Sequence, residues 1–171
     1  TVNNTGLVTG KKYGTTKIEV TTNKLPNTVL VEVEVLRKDD ITMPKTVSGQ
    51  DFTVALKSDG TVWTWGYNAN GELGLGDNQK RTEPTQVKAE ITLEDGTTKE
   101  EEITDAIDVA AGANHTLILR KDGTVWATGY NNKGQLGDGT TTSSNTFHKV
   151  KLNGDGDYLE NIVQIAAENN T

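Results

Sequence analysis

Apolar and polar residues alternate with a period of two along much of this chain. In "NTVLVEVEVL" (Asn27–Leu36), Val29, Val31, Val33 and Val35 fall on one side, and Glu32 and Glu34 on the other. "TTKIEVTT" (Thr15–Thr22) sets Ile18 and Val20 against polar neighbours in the same way. Successive side chains of a strand point to opposite faces, so this period, carried by β-branched residues, predicts half-buried antiparallel strands. "NKLPN" between the two runs predicts a turn, with Pro26 unable to donate to a ladder. "TGLVTGKKYG" adds a short strand upstream, which gives about three strands over residues 1–37, too few to close a two-sheet sandwich. Residues 38–46, charged and then broken by Pro44, read as a linker.

From there on the pattern repeats itself. In "DFTVALKSDGTVWTWG", strands are predicted at Phe52–Leu56 and Thr61–Gly66 around a turn whose Gly60 can take positive φ at little cost. Sliding the chain by 63 residues lays "SDGTVWTWGYNANGELGLGDN" (Ser58–Asn78) on "KDGTVWATGYNNKGQLGDG" (Lys121–Gly139) without a gap from Gly49/Gly112 to Val87/Val150. A repeat of this length signals one supersecondary unit stacked on copies of itself. Each unit is expected to add a strand pair around a Gly-centred turn, "LEDGTT" in the first and "NGDGDY" in the second. Four short antiparallel strands per repeat make a propeller blade, so the predicted fold is all-β. The repeats span 48–108 and 109–165, and a third begins at 165–171.

Two stretches resemble known families. "GLVTGKKYGTTKIEVTTNK" is similar to the C-terminal part of a bacterial Ig-like domain of group 2, through Gly6, Leu7, Val8, Thr9, Gly10, Gly14, Ile18 and Val20. "AAGANHTLILRKDGTVWATGYNNKGQLGDG" (Ala110–Gly139) and "SGQDFTVALKSDGTVWTWGYNANGELGLGD" (Ser48–Asp77) resemble the RCC1 repeat, the regulator-of-chromosome-condensation propeller. Phe52 replaces the family's usual histidine, Thr128 its second tryptophan, and Glu168 the glycine of a third repeat. The resemblance implies two blades and the start of a third, after a few strands of a truncated Ig-like sandwich. A closed propeller needs ~4–8 blades. The chain is therefore expected to be a fragment of a larger protein or to self-associate through open blade edges.

Composition narrows the partners. Lys and Arg number 17 against 24 Asp and Glu, a net charge of −7, which gives no electrostatic pull toward phosphate backbones or anionic lipid. Neither nucleic acid binding nor membrane insertion is expected. There is no cysteine, which excludes disulfides, thiolate metal sites and a cysteine nucleophile.

Several residues carry candidate chemistry. Tyr67, Asn68, Glu72 and Asp77 in the first glycine-rich loop, with Tyr130, Asn131 and Gln135 in the second, are the candidate binding residues, because loops on rigid scaffolds carry function. "GELGLGD" is not read as a phosphate loop, since no helical period follows it. Asn153, Asp155 and Asp157 are spaced like the first ligands of a calcium loop. Tyr158 stands where that loop needs glycine and Gln164 where it needs glutamate, so a hairpin turn is preferred. His115 reads as framework, because its equivalent is Phe52; His148 reads as solvent-facing. Trp63, Trp65 and Trp126 read as blade packing. "TTKEEEITD" (Thr97–Asp105) reads as a solvated face.

No nucleophile–base pair or metal cluster emerges, and Glu72 with Asp77, the one carboxylate pair, is not repeated in the second copy. The expected function is therefore a non-enzymatic interaction module without cofactor, taking a protein or carbohydrate ligand. The two resemblances together imply an extracellular or cell-surface bacterial protein of adhesive type. The alternative is a regulator or inhibitor of another protein, since the RCC1 family includes nucleotide-exchange and enzyme-inhibitor propellers.

Overall fold

A computed structural model describes the backbone of residues 14–22, 25–35, 42–92, 97–152 and 157–169. The chain divides into two compact units, Thr1–Ile41 and Thr42–Thr171. In the first, β1 (Gly14–Thr22) pairs antiparallel with β2 (Leu25–Val35). Their register sets Ile18 opposite Val31 and Val20 opposite Val29. Pro26 lies inside β2, between Leu25, paired with Thr22, and Val29, paired with Val20, where the register shifts. The Gly6–Gly10 turn and the predicted upstream strand lie outside the described residues.

The second unit is built entirely of strands and loops among its described residues. β3 (Lys45–Ser48), β4 (Phe52–Leu56), β5 (Val62–Gly66) and β6 (Arg81–Gln86) form one antiparallel sheet in that order. β9 (Ala106–Ala111), β10 (His115–Arg120), β11 (Val125–Gly129) and β12 (Ser144–Lys149) repeat it. The repeat extends to register. Phe52 pairs with Gly66 as His115 pairs with Gly129, and Trp63 with Gln86 as Trp126 with Lys149. These are two propeller blades. β3 begins at Lys45, inside the stretch read as linker.

Between the blades run β7 (Lys88–Thr92) and β8 (Thr98–Glu102), an antiparallel hairpin around "LEDGTT". The predicted strand pair exists, but it is not part of the blade that precedes it. β7 joins β12 of the second blade through a parallel bridge at Phe147 and Ala89, making a six-stranded sheet. Every residue of β8 is exposed, in keeping with its glutamates. The corresponding "NGDGDY" of the second copy shows one bridge, Lys151 to Tyr158, and its residues 153–156 lie outside the described set.

One core fills the seam between the blades. Phe52, Val54, Leu56, Val62 and Leu73 from the first blade meet Val109, Ile118, Trp126 and Phe147 from the second, with Val87, Ala89 and Ile103 closing it at the hairpin. Full burial of a side chain such as Phe147 contributes on the order of 1.5–3 kcal/mol. The shift by 63 residues explains the division of labour. The first blade presents Phe52, Val54 and Leu56 forward to the second. Their equivalents His115, Leu117 and Leu119 face forward in turn, on the side where Leu159 N–H reaches Val150 O and Ile162 N–H reaches Gly123 O. Trp126 and Thr128 face back across the seam, 3% and 0% exposed.

Their counterparts in the first blade, Trp63 and Trp65, are only half-buried, because the inward positions of β5 are Val62 and Thr64. The packing role expected of Trp63 and Trp65 is therefore confined to Trp126 in the described seam. The Trp rings still share one local architecture: indole Nε1–H donates two residues back, Trp63 to Thr61 Oγ1 at 3.0 Å and Trp126 to Thr124 Oγ1 at 3.1 Å.

Candidate interaction surface

Each blade has two ends. At one, the short turns Lys57–Thr61 and Arg120–Thr124 close the β4–β5 and β10–β11 hairpins. At the other, the 49–51 turn and the loop after β5 lie together, since Tyr67 N–H donates to Asp51 O; Tyr130 N–H does the same to Asn114 O. The seven candidate binding residues of the two glycine-rich loops all lie at this second end.

A buried asparagine holds each loop. Asn68 Nδ2 donates to Asp77 O at 2.9 Å and Gln79 O at 3.1 Å, while its Oδ1 accepts Leu73 N–H at 2.9 Å. Asn131 Nδ2 donates to Thr140 O at 3.2 Å and Thr142 O at 3.0 Å, and its Oδ1 accepts Leu136 N–H at 2.9 Å. Both side chains are 0% exposed. This corrects their placement among ligand-contacting residues: their hydrogen-bonding capacity is spent inside the loop. Buried polar groups must be satisfied, and here satisfaction fixes the loop while Leu73 and Leu136 anchor it in the apolar interior. A polar residue between glycines looks exposed in sequence; the one regularity is that each asparagine stands five residues before the anchoring leucine, Asn68 before Leu73 and Asn131 before Leu136.

The loops also press on the neighbouring blade. Thr116 and Thr128 donate to the carbonyls of Glu72 and Gly71 at 2.7 and 2.9 Å, and Gly76 N–H donates to Asn145 O at 2.8 Å. Gly71 has φ +84°, and a Cβ there would collide with Asn145 and come within 2.5 Å of Ser144 O, so the close approach demands glycine.

Tyr67 is 49% exposed, and Tyr130 is half-buried. Asp77 Oδ2 accepts from Arg81 at 2.7 Å, and its Oδ1 accepts Gln79 N–H at 2.9 Å. The Arg81 guanidinium, then the Gln79 amide, hold the Asp77 carboxyl below the usual carboxylate value. In the second copy, burial raises the Asp138 carboxyl, but donors from Thr140 and Asn131 and the nearby His148 outweigh it, and the net displacement is downward. His148 Nε2 lies 3.4 Å from Asp138 Oδ2 and the ring is half-buried, so it is not the free solvent-facing group expected. Glu72 is 1% exposed; its Oε1 and Oε2 accept from Asn70 Nδ2 and N–H at 2.7 and 2.9 Å. Gln135 repeats the second bond, its Oε1 accepting Lys133 N–H at 2.8 Å. Among the described residues, Glu72 and Asp77 share no hydrogen-bond partner.

His115 is buried, its ring lodged under Gly112 as the Phe52 ring is under Gly49; a Cβ at either glycine would strike that ring. Of the calcium candidates, Asp157 is exposed, and Asn153 and Asp155 lie outside the described residues. Among the described residues no group of three or more His, Asp or Glu is placed to hold a metal ion.

Comparison with known proteins gives consistent matches. A family model described as the regulator of chromosome condensation (RCC1) repeat matches residues 59–119 and 122–169, and a second of the same description matches 45–72 and 106–135. The X-linked retinitis pigmentosa GTPase regulator of Homo sapiens is 38% identical over 104 residues, covering 61% of this chain and 9% of that protein. The protein RCC2 homolog of Danio rerio is 35% identical over 107 residues, covering 61% and 19%. Thus the chain spans less than a fifth of the length of either relative. Among solved structures, human WBSCR16 matches with TM-score 0.54 and 22% identity, covering 81% of this chain and 31% of that one. Yeast RCC1 bound to Kap60 matches with TM-score 0.53 and 20% identity, covering 82% and 28%. At these identities the two structures establish the fold, a propeller blade pair.

Proposed function

Because the chain belongs to the regulator of chromosome condensation (RCC1) repeat family, we propose that it is a non-enzymatic protein-binding module that works through the loop-bearing end of its blades. One observation carries this reading. The loops at that end are held rigid from within by Asn68 and Asn131, yet leave Tyr67 and part of Tyr130 at the surface. A half-exposed tyrosine on a fixed loop offers contact area at little conformational cost, the property that makes tyrosine frequent in binding hot spots. The test is capture of binding proteins by the immobilised chain. Tyr67→Ala and Tyr130→Ala should lose them, while Lys121→Ala at the opposite end should not. Equal retention by all three variants would overturn the assignment of the surface.

A second reading, regulation of another protein's nucleotide state, draws support from the name of the human relative, a GTPase regulator. Nucleotide release from small GTPases, accelerated by the chain, would select it. The resemblance of Gly6–Val20 to a bacterial Ig-like module supports a finer version of the first reading, display outside a bacterial cell with a protein or carbohydrate ligand. Surface labelling of intact cells expressing the full parent protein would test it, and a purely cytosolic signal would remove it.

A further inference from the structure

We propose that the cavity at the loop end of the seam receives one positively charged side chain, lysine or arginine, from a protein partner; this rests on the protein-binding reading above. The cavity measures about 250 Å³ and is bordered by Gln50 and Asp51 of the first turn, Tyr67, Asn70 and Glu72 of the first loop, and Asn114 of the second blade. It is acidic and polar, with an aromatic ring in its wall. Glu72 is 99% buried by the packing around it, being 1% exposed, and the only hydrogen-bond donors to its carboxylate among the described residues are the two nitrogens of Asn70. No Lys, Arg or His pairs with Glu72 or with Asp51 among the described residues. A carboxylate offers about four acceptor directions, and two are used here. An ammonium or guanidinium would supply the missing charge, and the Tyr67 ring can add a cation–π contact.

The second copy shows that the charge is not needed to build the loop. At Glu72's place stands Gln135, at Asn70's stands Lys133, and at Tyr67's stands Tyr130. Gln135 Oε1 takes the same backbone hydrogen bond at 2.8 Å that Glu72 Oε2 takes at 2.9 Å. A neutral amide therefore suffices for the fold, and the first copy alone carries the buried negative group. The occupant must be part of a larger molecule. One charge-assisted contact adds only about ten- to a hundredfold in affinity, too little to hold a small free amine at low concentration, so a protein has to supply the rest of the binding surface.

The experiment is an amide NMR titration of the full chain with n-butylammonium, with a Gly-flanked lysine heptapeptide, and with the same peptide carrying glutamine. Shifts are expected at Asn70, Glu72 and Tyr67 but not at Lys133 or Gln135. The lysine peptide should bind more tightly than n-butylammonium, and the glutamine peptide should bind at least tenfold more weakly than the lysine peptide. Glu72→Gln should weaken lysine-peptide binding at least fivefold while leaving the spectrum and melting temperature near those of the parent. Tyr67→Leu should weaken it about threefold. Glu101→Gln, which removes one negative charge from the exposed hairpin, should change nothing. Equal losses in the Glu72 and Glu101 variants would reduce the effect to net charge and overturn the proposal. So would unchanged binding in Glu72→Gln, or n-butylammonium binding as tightly as the peptide. If Glu72→Gln still captures the parent's protein partners, the cavity is excluded while the protein-binding reading stands. If the chain captures no protein, that reading falls whatever the amine titration shows.

Discussion

The hydroxyl of Thr116 donates across the seam between the blades to the carbonyl oxygen of Glu72, 2.7 Å away. Its equivalent Thr53 lies on the back of the first blade, half-buried. One residue type in one register position thus does two jobs, depending on whether a blade lies behind it. Thr116→Val keeps the shape, removes the donor and leaves a buried carbonyl underpaired, which should destabilise the second unit by about 1–3 kcal/mol. Thr53→Val should stay within about 0.5 kcal/mol. Urea unfolding of the two variants side by side measures the difference.

The loop clamps should be costlier to break than any surface residue of the loops. Asn68→Ala removes the acceptor for Leu73 N–H and the donors to Asp77 O and Gln79 O, all in one buried side chain. About 2–4 kcal/mol of stability should go, since several buried groups lose partners together. Ala69, exposed next to it, should accept serine with no measurable change in melting temperature.

Two glycines with nearly the same backbone angle separate strain from collision. Gly71 and Gly76 have φ of +84° and +80°, but a Cβ at Gly71 meets Asn145 whereas nothing lies within 4 Å of one at Gly76. Gly76→Ala should cost only the left-handed penalty, about 1–2 kcal/mol. Gly71→Ala should cost clearly more, and should shift the amide resonances of Ser144 and Asn145 in the other blade.

Acid should loosen the turns through Asp122 and Asp138. Burial raises both carboxyls, but hydrogen bonds from Thr124 and from Thr140 respectively bring the net displacement below the ordinary value. A carboxyl with a folded-state pKa below its unfolded value of about 3.9 contributes stability above that value. The contribution disappears as pH falls through the folded pKa, because the unfolded chain then binds more protons. Stability should therefore drop as pH falls from about 4 toward 2. Asp138→Asn should flatten that decline. Melting curves across the series check it, and an unchanged acid slope would contradict the assignment.

Much of the fold was legible in the residues. The 63-residue offset, the Asp59–Gly60 and Asp122–Gly123 turns and the strand at Phe52–Leu56 all appear where the pattern puts them. The phase of β5 was harder. Both faces of a propeller blade are packed, so Val62 and Thr64 compete with Trp63 and Trp65 on equal terms, and hydrophobicity alone cannot say which pair faces the described seam. β3 was hidden because Lys45–Ser48 is short and mostly polar and is ordered by pairing with β4. At the candidate surface, the sequence reading grouped the buried clamps Asn68 and Asn131 with exposed residues of the same loops. Asparagine carries no mark of burial until the backbone groups around it are known.

The hairpin Lys88–Glu102 leaves one blade and completes the sheet edge of the next through Ala89 and Phe147. The stretch that would be copied by a tandem duplication is therefore out of step with the stretch that closes a sheet. Removing one whole 63-residue period at any point within the repeated part would rejoin matching halves, whereas excising the hairpin alone would strand Phe147 at a bare edge. Adjacent units are sewn together like overlapping shingles, and lengthening or shortening the row is gentler on it than trimming any single tile.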